Sequence, residues 1–304
     1  MTRVLMPFPA DAALASTIAM PLQARIAPVA WRHFPDGESL VTLDDALAGA
    51  DVALLASLRN ADATALPLRF AARTAREFGA RSVGLIAPYL GYMRQDTRFH
   101  RGEAVSTPLF AQFLEEAFDW LVTVDPHLHR VERLQSLYRI PTVHVSATPA
   151  VARWIAETVP DAVLIGPDSE SEQWVADIAA RSGMPYQLLA KERHGDYDVR
   201  VSLPDPAAVA GRTPVLIDDI VSSGHTILET LAHLRRLSLP SPLLVAIHPV
   251  FAGDAYARLQ EAGLARIVST DTISHPSNAI ALGADLAAAA STLMTASTDS
   301  PEDP

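Results

Sequence analysis

Short apolar runs alternate along this chain with stretches in which apolar residues recur every three to four positions. Runs of four to eight apolar residues predict buried strands, and the longer periodic stretches predict amphipathic helices. Strands are expected at 3–6, 27–34, 52–57, 82–87, 120–124, 143–145, 162–165, 186–189, 214–217, 243–248 and 266–269. Helices are expected between them at 65–78, 107–116, 149–157, 171–181, 226–237 and 252–262. This alternation predicts an α/β architecture with mainly parallel sheets. The order of elements is similar on either side of Pro141, although no sequence repeat is visible. Two domains are therefore expected, 1–141 and 142–290, followed by a disordered tail at 291–304.

The polar residues that follow the apolar runs carry the chemistry. Leu85-Ile86-Ala87 runs into Pro88-Tyr89 and then Arg94-Gln95-Asp96. Leu121 to Val124 runs into Asp125-Pro126-His127. Val163-Leu164-Ile165 runs into Gly166-Pro167-Asp168, and Val215-Leu216-Ile217 runs into Asp218-Asp219. In open parallel sheets ligands bind beyond the carboxyl ends of the strands. Four such ends, two from each half, predict a site in an interdomain cleft.

The stretch 215–226, VLIDDIVSSGHT, is the most specific of these. A buried strand leads into two carboxylates, then into Ser222-Ser223-Gly224 and a helix start at His225-Thr226. A tight loop at a helix N-terminus offers backbone N–H groups to a phosphate. Adjacent carboxylates accept hydrogen bonds from hydroxyls, so the string reads as a sugar-phosphate site. The blander alternative is that the acids and serines only cap the helix.

Other candidates are weaker by spacing alone. Arg94 and Gln95 can hold a nucleotide, or they can be solvated loop residues. His127 and His129 alternate along an extended segment, which points to a two-histidine metal site. No third ligand at tight spacing supports zinc. The alternative is His127 with the distant Asp168 around a hydrated Mg²⁺ held mainly by phosphates, with His129 structural. Glu170 and Glu172 fall near a helix start, where acids complement the dipole. Lys191 and Arg193 alternate in a polar segment that is either a phosphate-closing loop or a solvated hairpin. Pro35-Asp36-Gly37 is a turn signal, with Phe34 and Glu38 placed for a base or for nothing more than the turn. His275-Pro276-Ser277-Asn278 lines a cleft or closes one.

Composition narrows the classes. The 304 residues carry 24 Lys and Arg against 35 Asp and Glu, a net charge of −11. That disfavours nucleic acid as a partner, while a local basic cleft can still hold an anionic metabolite. The absence of cysteine excludes disulfides, thiolate metal sites and a cysteine nucleophile. No signal peptide is read at the N-terminus, and no apolar run reaches membrane-spanning length. A cytoplasmic protein with no membrane partner is expected.

Taken together, FPDGE, PYLGYMRQD, TVDPHLH, IGPD, KER, VLIDDIVSSGHT and STDTIS, in that order, resemble the ribose-phosphate diphosphokinase (phosphoribosyl pyrophosphate, PRPP, synthetase) family. The resemblance spans about residues 3–286. The serine-rich loop and the segment HPVFAGDA at 248–255 are similar to the archaeal-type branch. The resemblance implies two phosphoribosyltransferase-like α/β domains, each a mainly parallel sheet flanked by helices. It implies transfer of the diphosphoryl group of ATP to the anomeric hydroxyl of ribose 5-phosphate, leaving AMP. Asp218 and Asp219 would hold the ribose hydroxyls, and Ser222, Ser223, Gly224, His225 and Thr226 the 5-phosphate. His127 and Asp168 would position Mg²⁺. Lys191 and Arg193 would close over the transferring phosphates, and Arg94, Gln95 and Asp96 would contact ATP. Phe34, Asp36 and Glu38 would complete the adenine pocket of a neighbouring subunit, which implies a homo-oligomer built from dimers.

The family's usual loop has an acid in place of Ser222 and glycine in place of His225. Histidine is excluded there if the backbone needs positive φ, and tolerable if a helix starts there. Small residues are also usual in place of Ser169-Glu170-Ser171. Two other functions share parts of the pattern: a phosphoribosyltransferase that consumes PRPP, and a catalytically silent, nucleotide-binding paralogue that regulates a partner.

Overall fold

In the computed structural model, the described residues are 2–44, 46–128, 133–168, 171–189, 191–193, 199–201, 209–235 and 239–296, with backbone only at 191–193, 199–201 and 295–296. They form two compact units. One gathers the chain up to Val145 with Thr272–Ser274 and the stretch from Leu282 onward; the other gathers Ser146–Asp271 and His275–Ala281.

The first unit opens with strand β1 (Arg3–Pro7), helix α1 (Ala12–Leu22) and strand β2 (Ala24–Ile26). A hairpin follows, β3 (Ala30–His33) and β4 (Ser39–Thr42), then β5 (Asp51–Leu55), α2 (Ala61–Glu77), β6 (Ser82–Ala87), α3 (Ser106–Glu115), β7 (Leu121–Val124) and β8 (Thr142–Val145). The sheet order is β2-β1-β5-β6-β7-β8, with every pair parallel. The second unit contains α4 (Thr148–Thr158), β9 (Ala162–Gly166), α5 (Glu172–Ser182) and β10 (Tyr186–Leu188). A second hairpin, β11 (Lys191–Arg193) and β12 (Val199–Val201), precedes β13 (Thr213–Ile220), α6 (His225–Arg235), β14 (Leu243–His248), α7 (Ala255–Glu261), β15 (Arg266–Thr270) and β16 (Asn278–Ile280). Its order is β10-β9-β13-β14-β15-β16, again all parallel.

The two sheets thus share one topology. In each, the second strand lies outside the first, an antiparallel hairpin comes next, and the remaining strands add in sequence on the other side. The repeat invisible in the sequence is present in the chain path. Its strands are buried on both faces, as at β5, β6 and β9, which is why they read as continuous apolar runs rather than alternating ones. Helix α2 buries Ala61, Ala65, Leu68, Ala72 and Ala75, a single stripe at helical spacing, against its sheet. Among the described residues no helix is long and apolar enough to cross a membrane.

Several expectations change. The strand expected at 27–34 is shorter, β3 at 30–33; β2 precedes the expected range, and Ala27 and Val29 between the two strands are buried. The turn expected at Pro35-Asp36-Gly37 closes a hairpin whose second strand, β4, is too short and too little buried to show a pattern. Helix α1 went unpredicted because it is apolar over most of its length and contains Pro21. The expected tail is partly helix: α8 (Gly283–Ala296) packs on α1 in the first unit, with Met294 buried. Arg3 ties its own strand to α8 through Ser291 Oγ (3.0 Å). A division at 141 ascribes β8 and α8 to the second half, whereas their contacts lie with the first unit.

Asp11, between β1 and α1, is buried and accepts a hydrogen bond from the Ser57 N–H (3.1 Å). Burial raises its carboxyl from the ordinary 3.8 to about 6, against the pull of the Ser57 bond. A folded-state pKa above the unfolded one gives stability that is complete below the unfolded value and lost as pH rises through about 6. Asp11→Asn is therefore expected to raise Tm near neutral pH, by the equivalent of at most about 3 kcal/mol. Thermal melts across pH check this: the gain vanishes as pH falls toward the unfolded value.

Candidate active site

In the second unit, β13 runs further than the apolar run predicts. Its parallel pairing with β14 continues through Asp218, opposite Ala246, to Ile220, opposite His248. The two acids therefore belong to the last turn of a rigid strand rather than to the loop after it. Their side chains point to opposite faces in the usual strand alternation, yet they interact. Asp219 is buried and its Oδ1 accepts from the Ile220 N–H (2.8 Å). Burial, the neighbouring Asp219 carboxylate and then Asp168 push the Asp218 carboxyl well above the usual carboxylate range, against the pull of the Asp219 backbone N–H. Asp168, past the end of the adjacent strand β9, is bonded to Ser171, the residue just before α5: the Ser171 N–H donates to its Oδ1 (3.2 Å), and Ser171 Oγ donates to its carbonyl (2.6 Å). Three carboxylates from neighbouring strand ends thus share one electrostatic environment. Ser169 and Glu170 lie outside the described residues; Glu172 is the exposed first residue of α5.

The loop after β13 is held from one side. The Phe251 N–H donates to the Val221 carbonyl (2.8 Å) and the Ala252 N–H to the Ser222 carbonyl (3.0 Å). The Arg258 guanidinium donates to the Ser223 carbonyl (3.2 Å). In a trans peptide, a carbonyl and the following N–H point in opposite directions, and no peptide here is cis. Three carbonyls tied to the 251–258 segment therefore turn the N–H groups of Ser222, Ser223 and Gly224 the other way. Among the described residues none of these three N–H groups has an acceptor. The result is a concave row of donors ahead of the N-terminus of α6, an anion cradle.

The left-handed residue of this loop is Gly224, with φ +70°. His225 is already the first residue of α6, and Thr226 the second. The histidine that stands in place of the family's glycine is thus accommodated by a helical backbone. Its Nε2 lies 3.1 Å from Glu229 Oε1 one turn along the helix.

In the first unit, the residues after β5 and β6 line a cavity of about 510 Å³. Arg94 and Gln95 lie there with Arg59, Asn60, Asp62 and Tyr92; Asp96 does not line it. Glu103 organises the following loop, accepting from the N–H groups of Phe99 and His100 (3.0 Å each) and bonding the Gln95 side chain. Tyr92 holds a left-handed conformation (φ 63°), its hydroxyl bonded to Asp62 and its carbonyl to Thr107 Oγ1 (2.8 Å). Arg59 and Asn60 escaped the sequence reading. The signal is their place directly after the apolar run 52–56, at the end of a strand.

His127 lies just beyond β7 and is half-buried. Ahead of it Asp125 is buried and left-handed (φ 28°), with an oxygen 2.8 Å from His144 Nε2 on β8. His129 lies outside the described residues. Phe34, Asp36 and Glu38 occupy the β3–β4 turn, where the Phe34 N–H donates to the Glu38 carbonyl (2.8 Å) and the Glu38 N–H to Asp36 Oδ1 (3.2 Å). Arg32 covers the Phe34 ring at 4.9 Å, and Phe34 is 40% exposed. Lys191 and Arg193 are placed by backbone only, in β11 opposite Val201 and Val199. His275, Ser277 and Asn278 are bonded mainly to one another and to β15, so this segment closes the sheet edge. Among the described residues no three His, Asp or Glu side chains are placed to cage a metal ion.

Residues 4–117 match the family model described as the N-terminal domain of ribose phosphate pyrophosphokinase, and residues 145–283 match the phosphoribosyl transferase domain. The ribose-phosphate pyrophosphokinase of Methanopyrus kandleri is 32% identical over 282 residues, covering 92% of this chain and 96% of its own. This chain belongs to the ribose-phosphate pyrophosphokinase family. The corresponding protein of Halobacterium salinarum is 33% identical over 86% of this chain and 90% of its own. A crystal structure of phosphoribosylpyrophosphate synthetase from Mycobacterium smegmatis superposes with a TM-score of 0.82 at 25% identity, covering 99% of this chain and all of that one. The family's fold, two phosphoribosyltransferase-type halves with parallel sheets, is the fold described above. Family membership also accounts for the string VLIDDIVSSGHT at β13 and for the duplicated chain path.

Proposed function

We propose that this chain transfers the diphosphoryl group of ATP to the anomeric hydroxyl of ribose 5-phosphate, giving 5-phosphoribosyl 1-diphosphate and AMP. The observation that carries the proposal is the outward row of N–H groups at Ser222, Ser223 and Gly224 beside Asp218 and Asp219. The row, with the side chains of His225 and Thr226 at the start of α6, receives the 5-phosphate. Asp218 and Asp219 accept hydrogen bonds from the ribose hydroxyls. The cavity lined by Arg94, Gln95, Arg59 and Asn60 takes the nucleotide, and Asp96, the next residue along the chain, contacts it from outside that lining.

The sugar hydroxyl attacks the β-phosphorus in line and AMP leaves, so catalysis rests on positioning and charge stabilisation rather than on a covalent enzyme intermediate. Lys191 and Arg193 supply the positive charge around the transferring group. Carboxylate oxygens are the kind of donor a hard divalent cation takes. Asp168, Asp219 and the strained ionisation of Asp218 amount to negative charge that a cation and its phosphates would offset. Asp168 and His127 would hold Mg²⁺, which when bound neutralises phosphate charge. Phe34, Asp36 and Glu38, in an exposed hairpin turn, serve the nucleotide site of a neighbouring subunit in a homo-oligomer built from dimers. The proposal includes a cytoplasmic location, where an enzyme of ATP and ribose 5-phosphate meets its substrates.

The test is to incubate the protein with ATP, Mg²⁺ and ribose 5-phosphate and follow AMP and the diphosphate product by phosphorus NMR. One AMP per PRPP is expected. AMP release that does not depend on ribose 5-phosphate, or no AMP at all, overturns the proposal. A second expectation concerns Gly224. A Cβ there would face a left-handed penalty of about 1 kcal/mol or more and would sit 3.0 Å from Leu259 Cδ1. Gly224→Ala should weaken ribose 5-phosphate binding about tenfold, and calorimetric titration measures it.

A further inference from the structure

We infer that Arg258 is a positioning residue for sugar-phosphate binding: it fixes the plane of the Ser223–Gly224 peptide from behind the loop. The inference rests on the sugar-phosphate reading of that loop and adds to it a residue outside the loop and outside the strings that carry the family resemblance. Arg258 lies on α7 and makes two bonds. Its Nε is 2.9 Å from Asp254 Oδ1 one turn back, and its Nη2 donates to the Ser223 carbonyl at 3.2 Å. The first bond sets the guanidinium plane, and the second uses a charged donor on a backbone acceptor, the stronger class of hydrogen bond.

The consequence follows from peptide planarity. While the Ser223 carbonyl is held toward α7, the Gly224 N–H must face away from it. Gly224 is the position most able to turn over, because a left-handed glycine has little steric preference between its basins. The two preceding carbonyls are secured by backbone donors from Phe251 and Ala252. The third has a side chain instead, and that side chain is Arg258. Leu259, the next residue, packs under Gly224 from the same helix. Phe251 is itself held in a left-handed conformation (φ 36°), with the Tyr256 and His275 rings 5.1 and 4.7 Å away. The loop's donors are thus aimed by a brace built from residues 251–259, and Arg258 is the part of that brace that substitution can remove without touching the backbone.

The experiment compares the wild type with Arg258→Met, which keeps most of the packing stem, and with Arg258→Lys. Calorimetry with ribose 5-phosphate is run alongside steady-state kinetics. Arg258→Met is expected to raise Kd and KM for ribose 5-phosphate about tenfold, with kcat at saturation within about threefold and KM for ATP unchanged. Arg258→Lys, with one ammonium in place of a fork, is expected to recover part of the affinity. Asp254→Asn should give a smaller change in the same direction. A merely structural role would lower Tm and leave the ribose 5-phosphate KM in place, and that outcome overturns the inference. So does wild-type affinity in Arg258→Met. If the wild type itself binds no ribose 5-phosphate, the sugar-phosphate reading falls, and the assignment of Arg258 falls with it.

Discussion

Replacing Lys191 with alanine is expected to lower kcat by about 10² to 10³, the usual cost of removing one preorganised charge from a transition state. The affinity for ribose 5-phosphate should stay within about threefold. The asymmetry follows from the role proposed for the residue. Lys191 and Arg193 are alternate positions of β11, paired in register with Val201 and Val199 of β12. That hairpin follows β10, the edge strand beside β9, whose far end leads to Asp168. The sugar-phosphate cradle proposed above is built from the end of β13 and the start of α6. In the proposed role Lys191 meets charge that develops only during transfer, so its loss is expected in kcat rather than in ground-state binding of the sugar. Single-turnover kinetics with calorimetric binding separates the two quantities. Equal losses in kcat and sugar affinity would make Lys191 a simple binding residue.

Asp218→Asn should lower kcat/KM for ribose 5-phosphate by about 10- to 100-fold, since hydrogen bonds to a charged acceptor contribute about 1.5–3 kcal/mol each. The same substitution should raise Tm near neutral pH in the absence of ligands. The sign comes from the crowding of carboxylates. Burial, Asp219 and Asp168 raise the Asp218 pKa in the folded state. A raised carboxyl gives stability that is complete below its unfolded value and lost as pH rises through the folded value. Near neutral pH the carboxyl therefore costs the fold, and asparagine removes that cost. Activity down with stability up is the signature of a residue kept for binding. A variant that loses both would instead place Asp218 in the structural framework. Melting curves and initial rates on one preparation decide between them.

The limits of the sequence reading are instructive at particular places. The apolar run 215–217 was legible as a strand because both its faces are buried. Its continuation through Asp218 and Asp219 was not, because only pairing with β14 carries a strand through two acids. The 291–304 stretch read as a tail because its composition is small and polar. The helix that runs to Ala296 exists because α1 offers it a face, a partner more than two hundred and fifty residues away in sequence. Arg59 and Asn60 read as an ordinary helix approach, and a cavity at the strand ends gives them another meaning.

His225 shows the division most clearly. Its identity, and its departure from the family's glycine, are sequence facts. Whether the departure matters depends on one backbone angle, and the left-handed residue is Gly224 rather than its neighbour. By itself the sequence determined the family, the parallel α/β class and the chemistry available at each strand end. Local side-chain type and burial periodicity are enough for those. The tertiary structure decided which carboxylates repel one another, which peptide planes are turned and what holds them. It also decided that both halves follow one path. Those properties depend on contacts between residues distant in sequence and on the direction of individual N–H groups, and neither leaves a pattern along the chain.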